Sequence, residues 1–296
     1  MQHLISNPDE APRVEDIPVL ADFTGELAEH INGNWRLLAL FAVGQGRGEL
    51  YAVLAGDGQF CALRSESVAE FDSIARLCPQ AQLFEREIYE NSGIMPRHHP
   101  WLKSVRIIPD APGKSRNADY GFYRVQGGQA HEVGVGPIHA GIIEPGHFRF
   151  QCYGENVLNL EIALGYQHRG VERMLLELPA TSTANHLRLR LVECVAGDES
   201  VANATAQCVL WERMFGLGAL DEHTQRMRRI GLELERLACH CGDLGAIAGD
   251  TGYLPTSSWN GRIRGDFLNM TAAICGNRFG REFVHPGGVD NDLDQE

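Results

Sequence analysis

Two histidines, a carboxylate and an arginine lie within one glycine-rich and proline-rich stretch, residues 134–150. The titratable groups of this stretch are His139, Glu144 and His147, and Arg149 follows two positions after the second histidine. A carboxylate and a histidine held close together can move a proton to or from a reacting group, because histidine titrates near neutral pH. A hairpin over this stretch could therefore hold Glu144 and His139 close enough to relay a proton.

A turn and two short strands must position these groups. Four glycines and two prolines indicate tight turns, and the apolar runs 142–143 and 148–150 indicate strands on either side of one. The apolar neighbours of Glu144 would exclude water, which raises the pKa of a carboxyl group toward a useful range. One alternative stays open: Glu144 pairs with Arg149 and fixes the hairpin, while the histidines are merely solvated.

Three motifs place this stretch in a wider pattern. They are Gly136-Pro137-Ile138-His139 with Glu144-Pro145-Gly146-His147-Phe148-Arg149-Phe150, the run Gly-Tyr-Gln-His-Arg-Gly-Val-Glu at 165–172, and the segment 269–289, which ends in Pro-Gly-Gly-Val. Together they resemble the large subunit of group 4 NiFe hydrogenases and the homologous quinone-site subunit of respiratory complex I. The resemblance implies that the Gly-Pro-x-His loop lines a quinone cavity and that Glu144 passes protons, so Glu144 and His139 are the predicted catalytic residues. It also implies acceptor-site candidates at His139, His147, Arg149 and His168.

A further signature occurs earlier in the chain. The runs 84–94 and 98–102 resemble the signature of the small complex I subunit, which precedes the large subunit or is fused to it. The family pattern has aspartate where Glu90 stands and phenylalanine where Ser92 stands, so this chain departs from the pattern at both positions. The resemblance implies that the N-terminal domain is similar to the small subunit.

Periodicity and turn residues predict two domains. Residues 1–108 are predicted as an α+β domain, residues 109–129, rich in Pro, Gly, Ser and Asn, as a linker, and residues 130–296 as a mostly α-helical domain opened by a small β-hairpin. Together with the resemblance, these domains predict a small-subunit-like domain that is followed by the fold of a truncated hydrogenase large subunit. The predicted elements are strands over 35–43, 49–55 and 59–64, and helices over 67–78, 171–177, 184–195, 221–248 and from Ser257 or Ser258 to Gly276.

The longest predicted helix, 221–248, carries an apolar row at alternating spacings of three and four residues. Such spacing predicts a row that packs against neighbouring helices. The row comprises Met227, Ile230, Leu234, Leu237, Cys241 and Leu244, and the charged residues predicted to lie off it are Arg226, Arg228, Arg229, Glu233, Glu235 and Arg236.

A metal centre is not expected, because the residues that would hold it differ. In the resembled hydrogenases Cys-Gly-x-Cys precedes Ser-Val-Ala-His, and its thiolates bind nickel and iron. Aligning Ser200-Val201-Ala202 with that motif puts Ala196 and Glu199 at the cysteine positions. Alanine and a carboxylate cannot replace soft thiolate ligands. The family's second cysteine pair lies near its C-terminus, and we expect this chain to end before it.

The remaining cysteines do not suggest another metal site. Cys239 and Cys241 flank a histidine, but residues two apart on a helix project about 200° from each other. We therefore predict no metal and no cofactor bound by this chain. The sequence most resembles the cysteine-less, hydrogenase-related members of the family, which include hydrogenase-4 component G-like and formate hydrogenlyase large-subunit-like chains.

Composition excludes several classes of partner. The net charge of −13 argues against nucleic acid, since little would neutralise phosphates. The longest apolar run, 37–43, is too short to cross a bilayer, and the acidic N-terminus does not resemble a signal peptide. Scattered cysteines suit a reducing cytosol. Direct NAD binding is not expected, because Gly134-x-Gly136 is followed by Pro137 and not by a glycine that opens a helix.

The predicted function is that of a subunit in a membrane-associated, complex I-like oxidoreductase. The chain would shape a quinone or proton-coupled acceptor site next to the Fe–S cluster of a small subunit, on the inner face of the cell membrane, with antiporter-like membrane subunits as further partners. The isolated cytoplasmic chain is expected to be inactive. The alternative is a non-catalytic scaffold that docks the Fe–S subunit onto membrane partners.

Overall fold

The computed structural model describes residues 4–5, 14–106, 122–137, 145–179 and 181–291. The chain divides into two compact units, Met1–His168 and Arg169–Glu296, and each unit buries an apolar core of its own. The elements of the first unit are β1 (Leu4–Ile5), β2 (Val19–Leu20), α1 (Phe23–Asn32), β3 (Arg36–Gln45), β4 (Arg47–Gly56), β5 (Gln59–Ser65), β6 (Glu70–Asp72), α2 (Ala81–Ser92), β7 (Met95–Arg97), β8 (Ala130–Val135), β9 (His147–Tyr153) and β10 (Asn156–Ala163).

A five-stranded sheet forms the centre of the first unit. Its strands lie in the order β1-β5-β4-β3, and β2 adds to β5 in parallel. The turn between β3 and β4 has Gly46 in the left-handed region, at φ 65°, which glycine adopts without steric cost. Leu27 of α1 and Ile88 of α2 join the core of this unit. The three strands predicted in this region are confirmed.

The helix predicted over 67–78 is wrong. That segment contains β6 and a turn instead, and β6 pairs in parallel with β7. Phe71 and Ile74 are buried, as the apolar spacing indicated. The backbone, however, bonds to other parts of the chain, because the Val68 N–H donates to the Gly48 carbonyl at 2.8 Å. Long-range pairing has overridden the local periodicity.

An antiparallel sheet in the order β10-β9-β8 follows in the first unit. Side chains alternate between its two faces, and the strand register assigns each residue to one of them. The polar face carries Glu132, His147, Arg149, Gln151, Asn159 and Glu161. The apolar face carries Val133, Val135, Phe148, Phe150, Leu160 and Ile162. Of the two strands predicted for the hairpin, 148–150 lies within β9, whereas 142–143 lies outside the described residues. The prediction that only helices follow the hairpin missed β10.

The second unit is α-helical apart from one short hairpin. Its elements are α3 (Val171–Glu177), α4 (Ser182–Glu193), α5 (Ser200–Phe215), α6 (Glu222–Asp250), α7 (Leu254–Cys275), β11 (Val284–His285) and β12 (Gly288–Val289). Val201, Met227 and Phe283 are central to its core. The four predicted helices are confirmed, although α7 begins earlier than predicted; it ends as predicted at Gly276, whose φ is 82°. α5 was not predicted.

The apolar row predicted on α6 is only partly correct. Met227 and Leu234 are buried, but Ile230, Leu237 and Leu244 are 36, 41 and 56 % exposed. The buried face of α6 comprises Thr224, Met227, Arg228, Gly231, Leu234, Glu235, Ala238, Gly245 and Ala248. This face includes two charged residues that were predicted to lie off the packed row.

The fold class is the predicted one, an α+β region followed by a mostly α-helical region. The linker boundaries stay a prediction, because most of 109–129 lies outside the described residues. The three-stranded sheet groups with the N-terminal region and not with the helices. Close packing contributes to this grouping, since a Cβ on Gly165 would lie 2.9 Å from Cγ of Arg106. Of the helices in the described ranges, none is long and apolar enough to cross a bilayer.

Candidate functional site

Both predicted catalytic residues, His139 and Glu144, lie outside the described residues. The structure does describe the base of the loop that carries them, where the Gly146 N–H donates to the Pro137 carbonyl at 3.2 Å. Gly136 has φ 93°, and a Cβ at this position would lie 2.0 Å from the Gly146 carbonyl oxygen. The close approach of the two strands at this point therefore requires glycine. It fixes where the loop leaves the sheet and where it returns.

Arg149 is the best-positioned of the predicted acceptor-site residues. Its side chain is buried, its Nη2 lies 2.5 Å from Oε2 of Glu132, and its Cζ lies 4.4 Å from the centre of the Phe122 ring. Desolvation opposes ionisation of Glu132, but hydrogen bonds from Arg149 and Gln151 hold the pKa of this carboxyl below its usual range. The partner described for Arg149 is Glu132; the alternative in which Glu144 pairs with Arg149 stays a prediction, because Glu144 lies outside the described residues.

The two histidine candidates differ in their surroundings. His147 begins β9, pairs with Ala163 across the sheet and is half-buried. It lies on the same face of the same strand as Arg149, because the two are two residues apart. His168 is exposed in the turn region after β10. The structure thus brings His147 and Arg149 onto one face, whereas His168 is not part of that strand.

Cations and aromatic rings alternate along a line that ends at the polar face. We call this set the cation–aromatic ladder, and it comprises Arg86, Trp101, Lys103, Phe122 and Arg149. Cζ of Arg86 lies 5.1 Å from the Trp101 ring centre. Nζ of Lys103 lies 5.4 Å from that ring and 5.3 Å from the Phe122 ring. Cation–π contacts to partly exposed rings are worth about 0.5–1 kcal/mol each, and together they connect α2 and the following loop to the sheet.

Lys103 is a buried charge that the sequence analysis missed. It is 4 % exposed. Burial lowers the pKa of its ammonium group, Glu161 on the polar face opposes that shift, and Arg86 and Arg149 add to it. The only sequence signal was a lysine placed directly after Trp101-Leu102 at the end of the signature. Lys103 therefore adds a buried positive charge beside the polar face, which carries charges of both signs.

The small-subunit signature folds a loop onto α2. Glu85 is fully buried and accepts hydrogen bonds from the Ser73 hydroxyl at 2.5 Å and the Ile74 N–H at 2.8 Å. Burial raises the pKa of Glu85, and those hydrogen bonds oppose the rise. Arg86 donates to the backbone carbonyls of residues 103–104, at 2.5 and 3.0 Å. These signature residues hold backbone in place.

The side chains at the two positions where the chain departs from that signature also form hydrogen bonds to the backbone. The Glu90 carboxylate accepts the backbone N–H groups of Val105 at 2.8 Å and of Arg106 at 3.1 Å. The Ser92 hydroxyl donates to the Ile88 carbonyl at 2.5 Å. A glutamate in place of aspartate therefore still caps the loop, and the serine closes the end of α2 internally.

Positions 196 and 199, where the resembled hydrogenases have metal-binding cysteines, form what we call the degenerate metal motif. They lie in the loop between α4 and α5. Ala196 is half-buried there, and Glu199 is exposed. The buried carboxylate of this region belongs to Glu235, which accepts the N–H groups of Val201 at 2.7 Å and Ala202 at 3.0 Å. It satisfies donors in the first turn of α5 that have no partner within the helix. Burial raises the pKa of Glu235, against the effect of these hydrogen bonds.

An ion pair, a thiol and a very small cavity lie next to this loop. Nη2 of Arg264 lies 3.2 Å from Oδ2 of Asp198, and the Cys239 thiol donates to the Asp198 carbonyl. Burial raises the pKa of Cys239 to about 11. The cavity, lined in part by Glu235 and Arg278, has room for about one water molecule. Within the described ranges, no group of three His, Cys, Asp or Glu side chains is arranged to hold a metal ion.

A buried ion pair fixes the C-terminal hairpin. Arg228 donates to both carboxylate oxygens of Glu212, at 3.2 and 2.7 Å, and its Nη2 also donates to the carbonyls of His285 and Gly288. The Gly287 N–H donates to Glu212 at 2.7 Å. Burial opposes ionisation, but the hydrogen bonds from Arg228 and Gly287 keep the pKa of Glu212 below its usual range. The Pro-Gly-Gly-Val motif is therefore held by these two side chains.

Comparison with known proteins matches one region of the chain to a protein family and most of the chain to several relatives. Residues 38–120 match the family described as respiratory-chain NADH dehydrogenase, 30 Kd subunit. Formate hydrogenlyase subunit 5 of Escherichia coli is 28 % identical over 76 % of this chain and 42 % of its own length. Hydrogenase-4 component G of the same organism is 28 % identical over 77 % and 43 %. The C/D subunit of NADH-quinone oxidoreductase from Bacteroides fragilis is 25 % identical over 76 % and 47 %.

A solved structure shares the fold. A chain of the membrane-bound sulfane sulfur reductase, an archaeal respiratory membrane complex, superposes with a TM-score of 0.51 at 20 % identity, over 57 % of this chain and 43 % of that one. The proteins that match are subunits of membrane-bound hydrogenase and complex I-like assemblies. This chain is related to that group 4 hydrogenase and complex I family, as the motifs predicted. It spans less than half the length of the curated relatives named above.

Proposed function

We propose that this chain is a subunit of a membrane-associated, complex I-like oxidoreductase and that it shapes a quinone or other proton-coupled acceptor site without a NiFe centre of its own. The Fe–S cluster of a small partner subunit would deliver the electrons. Antiporter-like membrane subunits would hold the assembly on the cytoplasmic face of the membrane. Similarity to subunits of such complexes extends over both compact units, which supports the general oxidoreductase role.

One observation supports the acceptor-site role: the base of the loop that contains His139 and Glu144 is held by a close backbone approach and an ion pair. The strands on either side meet at Gly136, where only glycine fits, and the face behind them holds Arg149 buried and paired with Glu132. The paired strands and this ion pair restrict where the loop begins and ends. Such restriction is what a proton-transfer group needs, because transfer depends on hydrogen-bond distance to the acceptor.

The surroundings of the degenerate motif favour a role without nickel. Position 196 offers a methyl group and position 199 an exposed carboxylate, and neither is a soft ligand. The neighbouring carboxylates are already engaged, because Asp198 pairs with Arg264 and Glu235 caps α5. The chemistry assigned to this chain is therefore proton transfer and acceptor binding, with electron transfer left to the partner.

A single substitution tests the proton-transfer role. Glu144→Gln keeps the shape and hydrogen-bonding capacity of the side chain but cannot ionise. In the complex purified from its host, we expect the variant to assemble with all of its usual partner proteins and to lose acceptor-dependent turnover by about 100-fold. Glu155→Gln, in the exposed turn between β9 and β10, is the matched control and should keep full turnover. Full turnover in Glu144→Gln would remove the relay from the proposal.

The second candidate is a non-catalytic scaffold, and one observation favours it. The apolar face of the three-stranded sheet exposes Val133, Val135, Leu160 and Ile162, each by slightly more than two fifths. Exposed apolar surface of this kind marks interaction sites. For a scaffold, Ile162→Asp should prevent assembly, while Glu144→Gln should change neither assembly nor turnover. The pair of variants therefore separates the two roles.

A further inference from the structure

α6 carries exposed apolar side chains at a spacing of seven residues. Ile230, Leu237 and Leu244 are all among the exposed large hydrophobic residues, and we call them the α6 stripe. Residues seven apart on a helix lie within about 20° of each other, and the stripe extends over about 21 Å of rise. It is therefore a nearly straight apolar line of a length suited to helix pairing.

Charged and polar side chains follow the stripe along one flank. They are all exposed, and in chain order they are Arg229, Glu233, Arg236, His240 and Asp243. Oε1 of Glu233 lies 3.2 Å from Nη1 of Arg236, so these two largely neutralise each other. The charge order that remains runs from positive at Arg229 to negative at Asp243, fourteen residues further along the helix.

We propose that the α6 stripe binds the same stripe on a second copy of this chain, with the two α6 helices antiparallel about a two-fold axis at Leu237. Leu237 then meets its own symmetry mate, and Ile230 of each copy meets Leu244 of the other. Arg229 of each copy lies opposite Asp243 of the other, so two complementary charge pairs form. A parallel pairing would instead set Arg229 against Arg229, because residues then face their own equivalents. The charge order selects the antiparallel arrangement.

Concentration-dependent sedimentation of the full chain tests whether the stripe is an interface. We expect a monomer–dimer equilibrium, and Leu237→Lys should weaken it by at least about 100-fold, because two like charges would meet at the axis. Leu210→Lys, on the exposed side of α5, is the control and should leave the equilibrium unchanged. A chain that stays monomeric at all concentrations, or a dimer that Leu237→Lys does not weaken, would overturn the proposal.

Charge exchange tests the direction of pairing. Asp243→Arg places an arginine of each copy opposite Arg229 of the other copy. The two like-charge pairs should weaken the dimer by about tenfold. The double variant Arg229→Asp with Asp243→Arg restores opposite signs and should recover the wild-type dissociation constant. If the double variant is as weak as Asp243→Arg alone, the antiparallel arrangement is refuted. Circular dichroism of each variant confirms that α6 remains folded, and no step depends on the activity of an assembled complex.

Discussion

Replacing Arg228 with methionine should severely destabilise the helical unit. Arg228 and Glu212 are only 4 and 8 % exposed, and the guanidinium also bonds two hairpin carbonyls. Methionine fills much of the volume but leaves the Glu212 carboxylate buried without its counter-ion. Loss of one partner of a buried pair costs about 3–5 kcal/mol, which is a change of about 100-fold to several thousand-fold in the unfolding equilibrium. Urea unfolding followed by far-ultraviolet circular dichroism measures this loss, since the helices dominate that signal.

The same helix supplies the control for this experiment. Arg226 also pairs with a glutamate, Glu222, at 2.5 Å, but both side chains are more than two thirds exposed. Arg226→Met should therefore cost no more than about 0.5 kcal/mol. A third variant, Arg228→Met with Glu212→Gln, removes the unpaired charge and should recover part of the stability. Equal losses for Arg228→Met and Arg226→Met would refute the assignment of Arg228 as a buried structural charge.

Two further outcomes follow from the loop between α4 and α5. Because Ala196 and Glu199 offer no thiolate, the chain should purify without stoichiometric nickel and without hydrogen uptake; elemental analysis that finds one nickel per chain would contradict this. The raised pKa of Glu235 means that the folded state binds a proton more tightly than the unfolded state, whose value is near 4.5. The stabilisation is complete below that value and is lost as pH rises through the folded pKa. Glu235→Gln should therefore flatten the pH dependence of the unfolding free energy above about pH 4.5, and an unchanged slope would contradict the assignment.

Local pattern was sufficient for the three longest strands of the first sheet and for four helices of the second unit. Strands β3, β4 and β5 and the helices α3, α4 and α6 have regular apolar spacing and clear turn residues, so the sequence predicted them. α5 was missed because the residues that it buries are small or charged: Ala204, Cys208 and Glu212 give little hydrophobic contrast. The segment 67–78 failed in the opposite way, since its helical spacing of apolar residues is real but its backbone pairs with distant strands.

The functional residues were less predictable than the fold, because their partners are far away in the sequence. Arg228 and Glu235 were predicted to lie off the packed row because charged side chains usually face solvent. Both are buried, and their partners are distant in sequence. Glu212 lies 16 residues from Arg228, and the amides bound by Glu235 lie more than 30 residues from it. Spacing along one helix contains no information about such pairings. Lys103 was missed for the same reason, as its neighbours on the ladder come from three separate segments.

The departures from the family pattern fall into two physical classes, and the difference between them bears on function. At Glu90 the carboxylate is retained on a longer side chain and still caps two backbone N–H groups, so the framework is kept. At Ala196 and Glu199 the thiolate chemistry is replaced by groups that a soft metal does not bind, while Glu235 holds the same region through backbone contacts. The chain keeps the buried carboxylates that bind backbone N–H groups, whereas the metal-ligand positions differ. It has therefore retained the contacts that hold its loops in place. The loop that carries Glu144 is therefore where a remaining chemical role must be sought.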